Sequence, residues 1–373
     1  MIAIDILNLI RDGKAATRSE LIEQTGLSRT TIGTRLGELK ARGLITESGN
    51  AASTGGRPSG LLTFNAAAGL ILAIDVGATG ATVAICDLSG ESLAERHERR
   101  NIDADPEDTL GWATGELGTM LNALGRSPED AWALGIALPG TVDAAGRPVS
   151  PGLMPGWDGF PVAEKLRETF DVDILVDNDV NVMALGEARR HGPDDQIVVL
   201  KAGTGVGLAY VASGVILRGA QGAAGEIGHT TVPGHDDILC SCGKHGCLQA
   251  VAGGVRMADR LTKAGIPCAS AAEVAALARG GTPEAITMVR AAGHAIGYVL
   301  ATVVNVLNPS RVVVAGDLTD ARDFLLSALR ETLYREANTL ATSELEIARA
   351  RAGLRAGIIG TSTMALEHAL RPA

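Results

Sequence analysis

The chain has 373 residues, of which 46% are hydrophobic and 20% are charged, and 47 residues are glycine. This length favours two or three domains, and the composition excludes a chain that is disordered throughout. The net charge of −10 excludes a protein that is coated with basic residues for nucleic-acid binding.

The charge is unevenly distributed along the chain. Residues 1–64 hold eight Lys or Arg against six Asp or Glu, so the acidic excess lies in the remainder. A mildly basic head on an acidic body suits a confined DNA-contacting surface. The N-terminus lacks a basic stretch followed by an apolar run, and no apolar stretch reaches the roughly 20 residues that span a bilayer. We therefore expect a cytoplasmic protein with no membrane partner.

Three short helices are predicted in residues 1–43. The first is amphipathic and ends near Gly13, and Thr17 and Glu20 form a capping box at the start of the second. Gly26 ends the second helix, and Ser28 caps the third. Apolar residues at i, i+4 and i+7 predict a buried stripe on the third helix. This stripe consists of Ile32, Leu36 and Leu39.

The third helix and the segment after it are typical of a winged helix-turn-helix domain. Two predicted strands, 44–46 and 61–64, enclose a loop in which a stiff proline follows Arg57, which suits insertion into a narrow minor groove. Polar residues on the outer face of the helix suit base edges and phosphates in the major groove. The alternative is a small helical interaction domain. The predicted DNA-contacting residues are Ser28, Arg29, Thr30, Thr31, Thr34, Arg35 and Arg57.

From about residue 65 the pattern becomes α/β. An apolar strand at 71–76 runs into a glycine turn and a second strand, and the same arrangement recurs at 197–211. Matched glycine turns indicate a duplicated fold whose halves each offer a turn suited to a phosphate. A further buried strand, 312–314, also opens into a turn. The predicted turn residues are Asp75, Gly77, Thr79, Gly203, Thr204 and Gly205.

Three of the five cysteines lie close together, at Cys240, Cys242 and Cys247. Three thiolates and one imidazole complete a tetrahedral zinc shell that has no open position, so we expect one structural zinc ion per chain. His229, His235 and His245 are all candidates for the imidazole. Ordinary buried cysteines are the alternative to a metal site.

Together these features resemble the ROK family, which contains repressors and sugar kinases, and the resemblance covers nearly the whole chain. It implies an α/β architecture with an N-terminal winged helix-turn-helix and a two-lobed, actin-like (ribonuclease-H-like) ROK domain. The predicted boundaries are 1–64 for the DNA-binding domain and 65–373 for the ROK domain. Residues 65–180 with the C-terminal helix form the small lobe, and 181–355 form the large lobe with the zinc site. The resemblance favours His229 as the fourth zinc ligand.

The resemblance also implies a sugar site. Carboxylates and amides suit neighbouring hydroxyl groups, although Asn178 and Asp179 also suit a helix N-cap, and both roles are compatible. Gln249 stands where the family usually has glutamate, and its amide adds a donor, which allows a ligand different from glucose-like sugars. The implied sugar-binding residues are Pro139, Gly140, Asn178, Asp179, Glu226, His229 and Gln249.

Two functions follow from the resemblance. The first is a sugar-responsive DNA-binding transcriptional regulator, a repressor of carbohydrate metabolism genes, without enzymatic activity. Its partners would be double-stranded operator DNA, a sugar or sugar derivative, and further copies of the chain in a homodimer or a dimer of dimers. The alternative is an active ATP-dependent sugar kinase with a DNA-binding head, because Asp179 matches the general base of the kinases. Gly80, Leu208 and Asp317 depart from the kinase pattern on the nucleotide side.

Overall fold

The computed structural model describes residues 3–48, 60–102, 105–149, 154–189, 191 and 195–371. The head of the chain contains three helices and an antiparallel hairpin. These elements are α1 (Ala3–Arg11), α2 (Arg18–Thr25), α3 (Arg29–Ala41), β1 (Ile45–Ser48) and β2 (Leu61–Phe64).

Local contacts explain where the helices of the head begin and end. Thr17 and Glu20 form the predicted capping box at the start of α2, and Gly26 ends the helix with a φ of +68°, a backbone conformation that favours glycine. The side chain of Ser28 caps α3 by accepting a hydrogen bond of 3.1 Å from the amide of Thr31. The predicted stripe of α3 is buried against α1 and the hairpin.

The first five-stranded sheet has the order β5-β4-β3-β6-β7, in which β3 is antiparallel to β4 and parallel to β6. Two helices accompany it, and a third follows its last strand. The elements are β3 (Leu70–Val76), β4 (Ala81–Asp87), β5 (Ser92–Glu98), α4 (Pro106–Ala123), β6 (Ala131–Leu138), α5 (Val162–Arg167), β7 (Asp173–Asn178) and α6 (Asp179–Ala188).

The second five-stranded sheet has the order β10-β9-β8-β11-β12 and repeats the strand directions of the first. This correspondence confirms the duplicated α/β architecture, whereas the predicted domain boundaries stay predictions. Its elements are β8 (Gln196–Ala202), β9 (Val206–Ala212), β10 (Val215–Ile216), α7 (Leu248–Ala252), α8 (Gly254–Lys263), α9 (Ala271–Arg279), α10 (Pro283–Leu307), β11 (Arg311–Ala315), α11 (Phe324–Glu336), α12 (Thr339–Thr342), β12 (Glu346–Arg349) and α13 (Ala356–Leu370).

Helices α6 and α13 occupy corresponding places after the last strand of each sheet, and they pack tightly against each other. A Cβ on Gly360 would lie 1.6 Å from the carbonyl oxygen of Val182, and a Cβ on Gly186 would lie 2.6 Å from that of Ala356. Only glycine therefore allows this approach of the two backbones. Helix α13 also packs on β3 and β6, so it belongs with the first sheet and connects it to α6.

Helix α10 corrects the expectation that no apolar stretch of the chain is long enough to span a bilayer. By length and composition it is apolar enough to cross a membrane, although half of its most apolar window is buried inside the protein. Gly293 and Gly297 of this helix approach the backbone of α11, where added Cβ atoms would lie 2.5 and 2.6 Å from carbonyl oxygens. One face of α10 packs closely on α11. The apolar character of α10 is therefore explained by its position in the hydrophobic core between the second sheet and its helices.

Candidate functional site

A cavity of about 260 Å³ lies between the two sheets, where several strands end in turns. Its volume is on the scale of small-molecule sites. Six of the seven predicted sugar-binding residues line it, together with two of the predicted turn residues. These are Pro139, Gly140, Asn178, Asp179, Glu226 and Gln249, and Thr204 and Gly205. Additional lining residues that the sequence analysis missed include Lys201, Ser241 and Arg256.

Asn178 has a structural role at the end of β7. Its side-chain oxygen caps α6 by accepting hydrogen bonds of 2.8 and 3.2 Å from the amides of Val180 and Asn181. Its side-chain amide donates to the carbonyl oxygen of Gly140 at 2.6 Å. The N-cap alternative therefore holds for Asn178, and these bonds fix the strand end and the Gly140 turn beside the cavity.

Asp179 is the first residue of α6, and its carboxylate forms an ion pair with the ammonium of Lys201. The Asp179 side chain is 7% exposed and that of Lys201 is 26% exposed. The sequence analysis did not predict this contact, and the only signal for it is a charged lysine inside the apolar strand β8, just before a glycine turn. This ion pair fixes the position of the Asp179 side chain at the cavity wall.

Glu226 and Gln249 line the cavity from the loop after β10 and from α7. The hydroxyl of Thr141 donates to the Glu226 carboxylate at 2.7 Å, which connects this loop to the turn after β6 of the first sheet. Gly225 has a φ of +94°, and a Cβ there would lie 1.9 Å from the carbonyl oxygen of Leu208. The loop can therefore approach β9 only with glycine at this position, which places Glu226 at the cavity wall.

A second ion pair, also missed from the sequence, supports the same loop. Arg218 donates to one carboxylate oxygen of the buried Asp177 through two nitrogens, at 2.9 and 2.7 Å. The other Asp177 oxygen accepts hydrogen bonds from Asn181 and from the Asn178 amide, at 2.7 and 2.8 Å. Asp177 thus joins the start of α6 to the loop that carries Glu226.

The remaining predicted turn residues lie outside the cavity lining. These are Asp75, Gly77, Thr79 and Gly203. Burial and the nearby charge of Asp179 raise the pKa of Asp75 to about 6, against an opposing effect of Lys201. Burial also raises the pKa of Asp317 above its ordinary range. The region is therefore rich in partly buried carboxyl groups, which oppose the phosphates of a nucleotide.

The sulfur and imidazole atoms of His229, Cys240, Cys242 and Cys247 lie within 4.8 Å of one another. The two sulfurs of Cys242 and Cys247 are 3.7 Å apart. Two ligands about 2.3 Å from one zinc ion at the tetrahedral angle are separated by about 3.8 Å, so the geometry fits a metal ion of this kind.

His229 was predicted to contact both the metal and the sugar. Its Nδ1 lies 3.8 Å from the sulfur of Cys240, and the ring is not among the residues that line the cavity. His235 and His245 are not part of the cluster. The structure thus brings His229 to the cysteines, and its contact with a sugar stays a prediction.

The predicted DNA-contacting face lies on the first half of α3 and its cap. Arg29, Thr30 and Thr34 are exposed, and Arg35 pairs with Glu38 at 3.0 Å. Arg57 lies outside the described residues. The role of these side chains in DNA binding stays a prediction.

Comparison with known proteins decides the family. The ROK family model matches residues 71–368, and a winged helix-turn-helix DNA-binding model matches residues 2–46. The chain belongs to the ROK family. A solved ROK family transcriptional regulator, a homologue of the Escherichia coli Mlc protein, superposes with a TM-score of 0.82 at 23% identity, covering 99% of this chain and 95% of that one. The predicted ROK fold with its DNA-binding head is confirmed.

Two relatives represent the two predicted functions. The xylose repressor of Caldicellulosiruptor bescii is 26% identical, covering 98% of this chain and 95% of the relative. The glucokinase of Halalkalibacterium halodurans is 30% identical but covers only 77% of this chain, and 92% of the relative. The repressor alignment extends over nearly the whole chain, including the head. The prediction that this ROK protein is a DNA-binding regulator is thereby confirmed.

Proposed function

We propose that this protein is a transcriptional repressor whose binding to operator DNA changes when a sugar or sugar derivative enters the cavity between the two sheets. The observation that carries this proposal is a cavity lined by Asp179, Glu226 and Gln249 in a chain that also has a winged helix. Carboxylates and an amide around a small cavity bind sugar hydroxyl groups selectively, because an analogue without a hydroxyl leaves a buried polar group unpaired.

A continuous set of contacts links the cavity to the head. Asp179 begins α6, and α6 packs on α13 through the glycine contacts described above. At the other end of α13, the carbonyl oxygen of Ala369 accepts a hydrogen bond of 2.9 Å from Arg42, the residue that directly follows α3. The Arg42 guanidinium also lies 5.6 Å from the ring centre of Trp132 in the ROK domain. A shift of α6 on sugar binding therefore moves the support of the DNA-reading helix.

We infer that the protein does not transfer phosphate. The nucleotide side has Leu208 as a buried residue of β9, and Asp317 as a partly buried carboxyl group. Neither residue offers a donor or a cation to nucleotide phosphates. Asp179 then serves as a sugar contact and not as a general base.

We infer that the cysteine cluster holds one structural zinc ion. Four protein ligands leave no position for a reacting water, so the ion would stabilise the loop without taking part in chemistry. Two cavity residues depend on that loop, since Ser241 lies between Cys240 and Cys242 and Gln249 lies on α7, the helix that begins directly after Cys247. The metal thereby shapes the cavity wall.

We propose a homodimer that forms through the ROK domain, because a symmetric pair of winged helices doubles the contacts to a two-fold operator. Val306 and Leu340 are 75% and 83% exposed, and a hydrogen bond of 2.8 Å from Asn338 to Asn305 brings their helices together. Val306→Asp combined with Leu340→Asp should give monomers in sedimentation velocity and weaken operator binding at least tenfold. Val215→Asp, at a 66% exposed position, is the control. If the double variant stays dimeric, the dimer interface does not include Val306 and Leu340.

Two arginines of the head, Arg57 and the exposed Arg29, give a prediction for DNA binding. Arg57→Ala should weaken operator binding by about 1–3 kcal/mol and reduce the preference for A·T-rich flanking sequence, whereas Arg29→Ala should reduce the salt dependence. Fluorescence anisotropy over a range of salt concentrations measures both effects. The surface variant Lys165→Ala in the ROK domain is the control. If operator affinity at physiological salt is unchanged, the mutated arginine does not contact the DNA.

A ligand screen tests the proposed function. Thermal shifts against a panel of sugars and sugar phosphates should identify a stabilising ligand, because a ligand that binds only the folded state raises the unfolding temperature. The same compound should change the affinity of the protein for DNA from the region upstream of its own gene. If the compound stabilises the protein but operator affinity is unchanged with and without it, the regulatory function proposed here is wrong.

A further inference from the structure

Lys201 is a cation inside an apolar strand. It is the sixth of seven residues in β8, where its neighbours are buried, and its side chain enters the cavity and pairs with Asp179. Burial lowers the pKa of Lys201, but the carboxylates around it, Asp179 first, outweigh this effect and raise the pKa above its ordinary value. Lys201 is therefore an ammonium ion within the protein.

Because the fold is duplicated, the position of Lys201 in the second sheet can be compared with the corresponding position in the first sheet, which is Asp75. Asp75 is the sixth residue of β3, the strand that corresponds to β8, and each of the two residues precedes a glycine turn by one residue. The register also corresponds, because Asp75 pairs with Ala137 of β6 and Lys201 pairs with Ala315 of β11. One half of the ROK domain thus has a carboxylate at this position, and the other half has an ammonium.

Three carboxyl groups from different strand ends act on this ammonium. They belong to Asp75 in β3, Asp179 at the start of α6 and Asp317 after β11. The Lys201 Cε lies only 3.8 Å from the position of a Cβ on Gly203, in the turn beside Asp317. A cation near carboxyl groups favours their ionised forms, so Lys201 favours the carboxylate form of each of the three groups.

We propose that Lys201 is the internal cation of the cleft, which pairs with Asp179, offsets part of the charge of the three carboxyl groups and occupies the place that a divalent cation would need. Magnesium in nucleotide sites is held by one or two carboxylates together with the phosphates. The ammonium of Lys201 occupies the Asp179 oxygen that a magnesium ion would need. Asp179 then remains a hydrogen-bond acceptor for a ligand in the cavity. This inference rests on the proposed function, since it gives a physical reason why the cavity binds a sugar without phosphate transfer.

Manganese alone tests the proposal on the full-length, zinc-loaded protein. Isothermal titration with Mn²⁺ should detect no binding to the wild type or to Lys201→Arg, which keeps the charge. Lys201→Gln should bind about one Mn²⁺ per chain, because the three carboxylates then lack a cation. Adding Asp317→Asn to Lys201→Gln should remove this binding. Lys263→Gln, at an exposed position on α8, is the control and should behave as the wild type.

Stability gives a second measurement in case Lys201→Gln folds poorly. Increasing Mn²⁺ should raise the unfolding temperature of Lys201→Gln and leave that of the wild type unchanged. Binding of Mn²⁺ by the wild type in the cleft, or no gain of Mn²⁺ binding and no stabilisation in Lys201→Gln, would overturn the proposal. Neither result depends on a sugar or an operator, so failure here is distinct from failure of the proposed repressor function.

Discussion

Asp179→Asn should lower the affinity for the effector sugar by about 10- to 100-fold, because a hydrogen bond to a charged group contributes about 1.5–3 kcal/mol and the substitution removes that charge. The substitution also leaves the Lys201 ammonium without its main partner. Operator binding in the absence of sugar should remain as in the wild type, since the residue lies in the ROK domain and not in the head. Isothermal titration and operator anisotropy measure the two quantities separately.

The exposed Asp171, which precedes β7, offers a matched control for this prediction. Asp171→Asn changes the same chemical group at the surface and should leave sugar affinity and operator binding unchanged. If Asp179→Asn binds the sugar as tightly as the wild type, the cavity described here is not the sugar site. If the wild type phosphorylates a sugar with ATP and Asp179→Asn does not, the kinase alternative is correct.

Cys242→Ser should reduce the zinc content from one ion per chain to nearly none and lower the unfolding temperature by about 5 °C or more, since metal binding contributes directly to folding stability. Sugar affinity should fall with it, because the loop carries Ser241 and leads into the helix with Gln249. Metal analysis by plasma mass spectrometry, thermal unfolding and sugar titration on the same preparation measure the three effects.

The chain contains its own control for the zinc prediction. Cys268 is buried but lies outside the cluster, so Cys268→Ser should keep its zinc and its response to the sugar. A preparation of Cys242→Ser that lacks metal but binds sugar normally would separate the metal from the cavity and contradict the proposed role of the loop.

The strands with strong apolar patterns were predictable from the sequence, whereas four others were not. Strand β12 has four residues, of which only one is buried, so it shows no clear pattern. Strand β5 is an edge strand with mostly exposed residues, so its pattern shows no buried face. Strand β6 is buried along nearly its whole length, and a short apolar run of this kind does not distinguish a strand from a helix. Strand β10 has only two residues, too few to produce a pattern.

The cavity was largely predictable, because its residues stand next to glycine turns and strand ends that resemble the ROK family. Its ion pairs were not. Lys201 and Asp179 are 22 residues apart, and Arg218 and Asp177 are 41 apart, so only the packing of the two sheets brings each pair together. The N-cap role of Asn178 was foreseen as an alternative because an asparagine after a strand and before a helix is typical of a cap.

The central claim is that a sugar controls operator binding without being phosphorylated. One titration tests it most directly: the operator complex of the wild type is titrated with the sugar identified by the thermal-shift screen, with magnesium and ATP present, while DNA anisotropy and ADP release are recorded together. We expect operator affinity to change at least tenfold, a coupling of about 1.4 kcal/mol, with no ADP formed. ADP formation that follows sugar addition, or constant anisotropy throughout the titration, would contradict the claim.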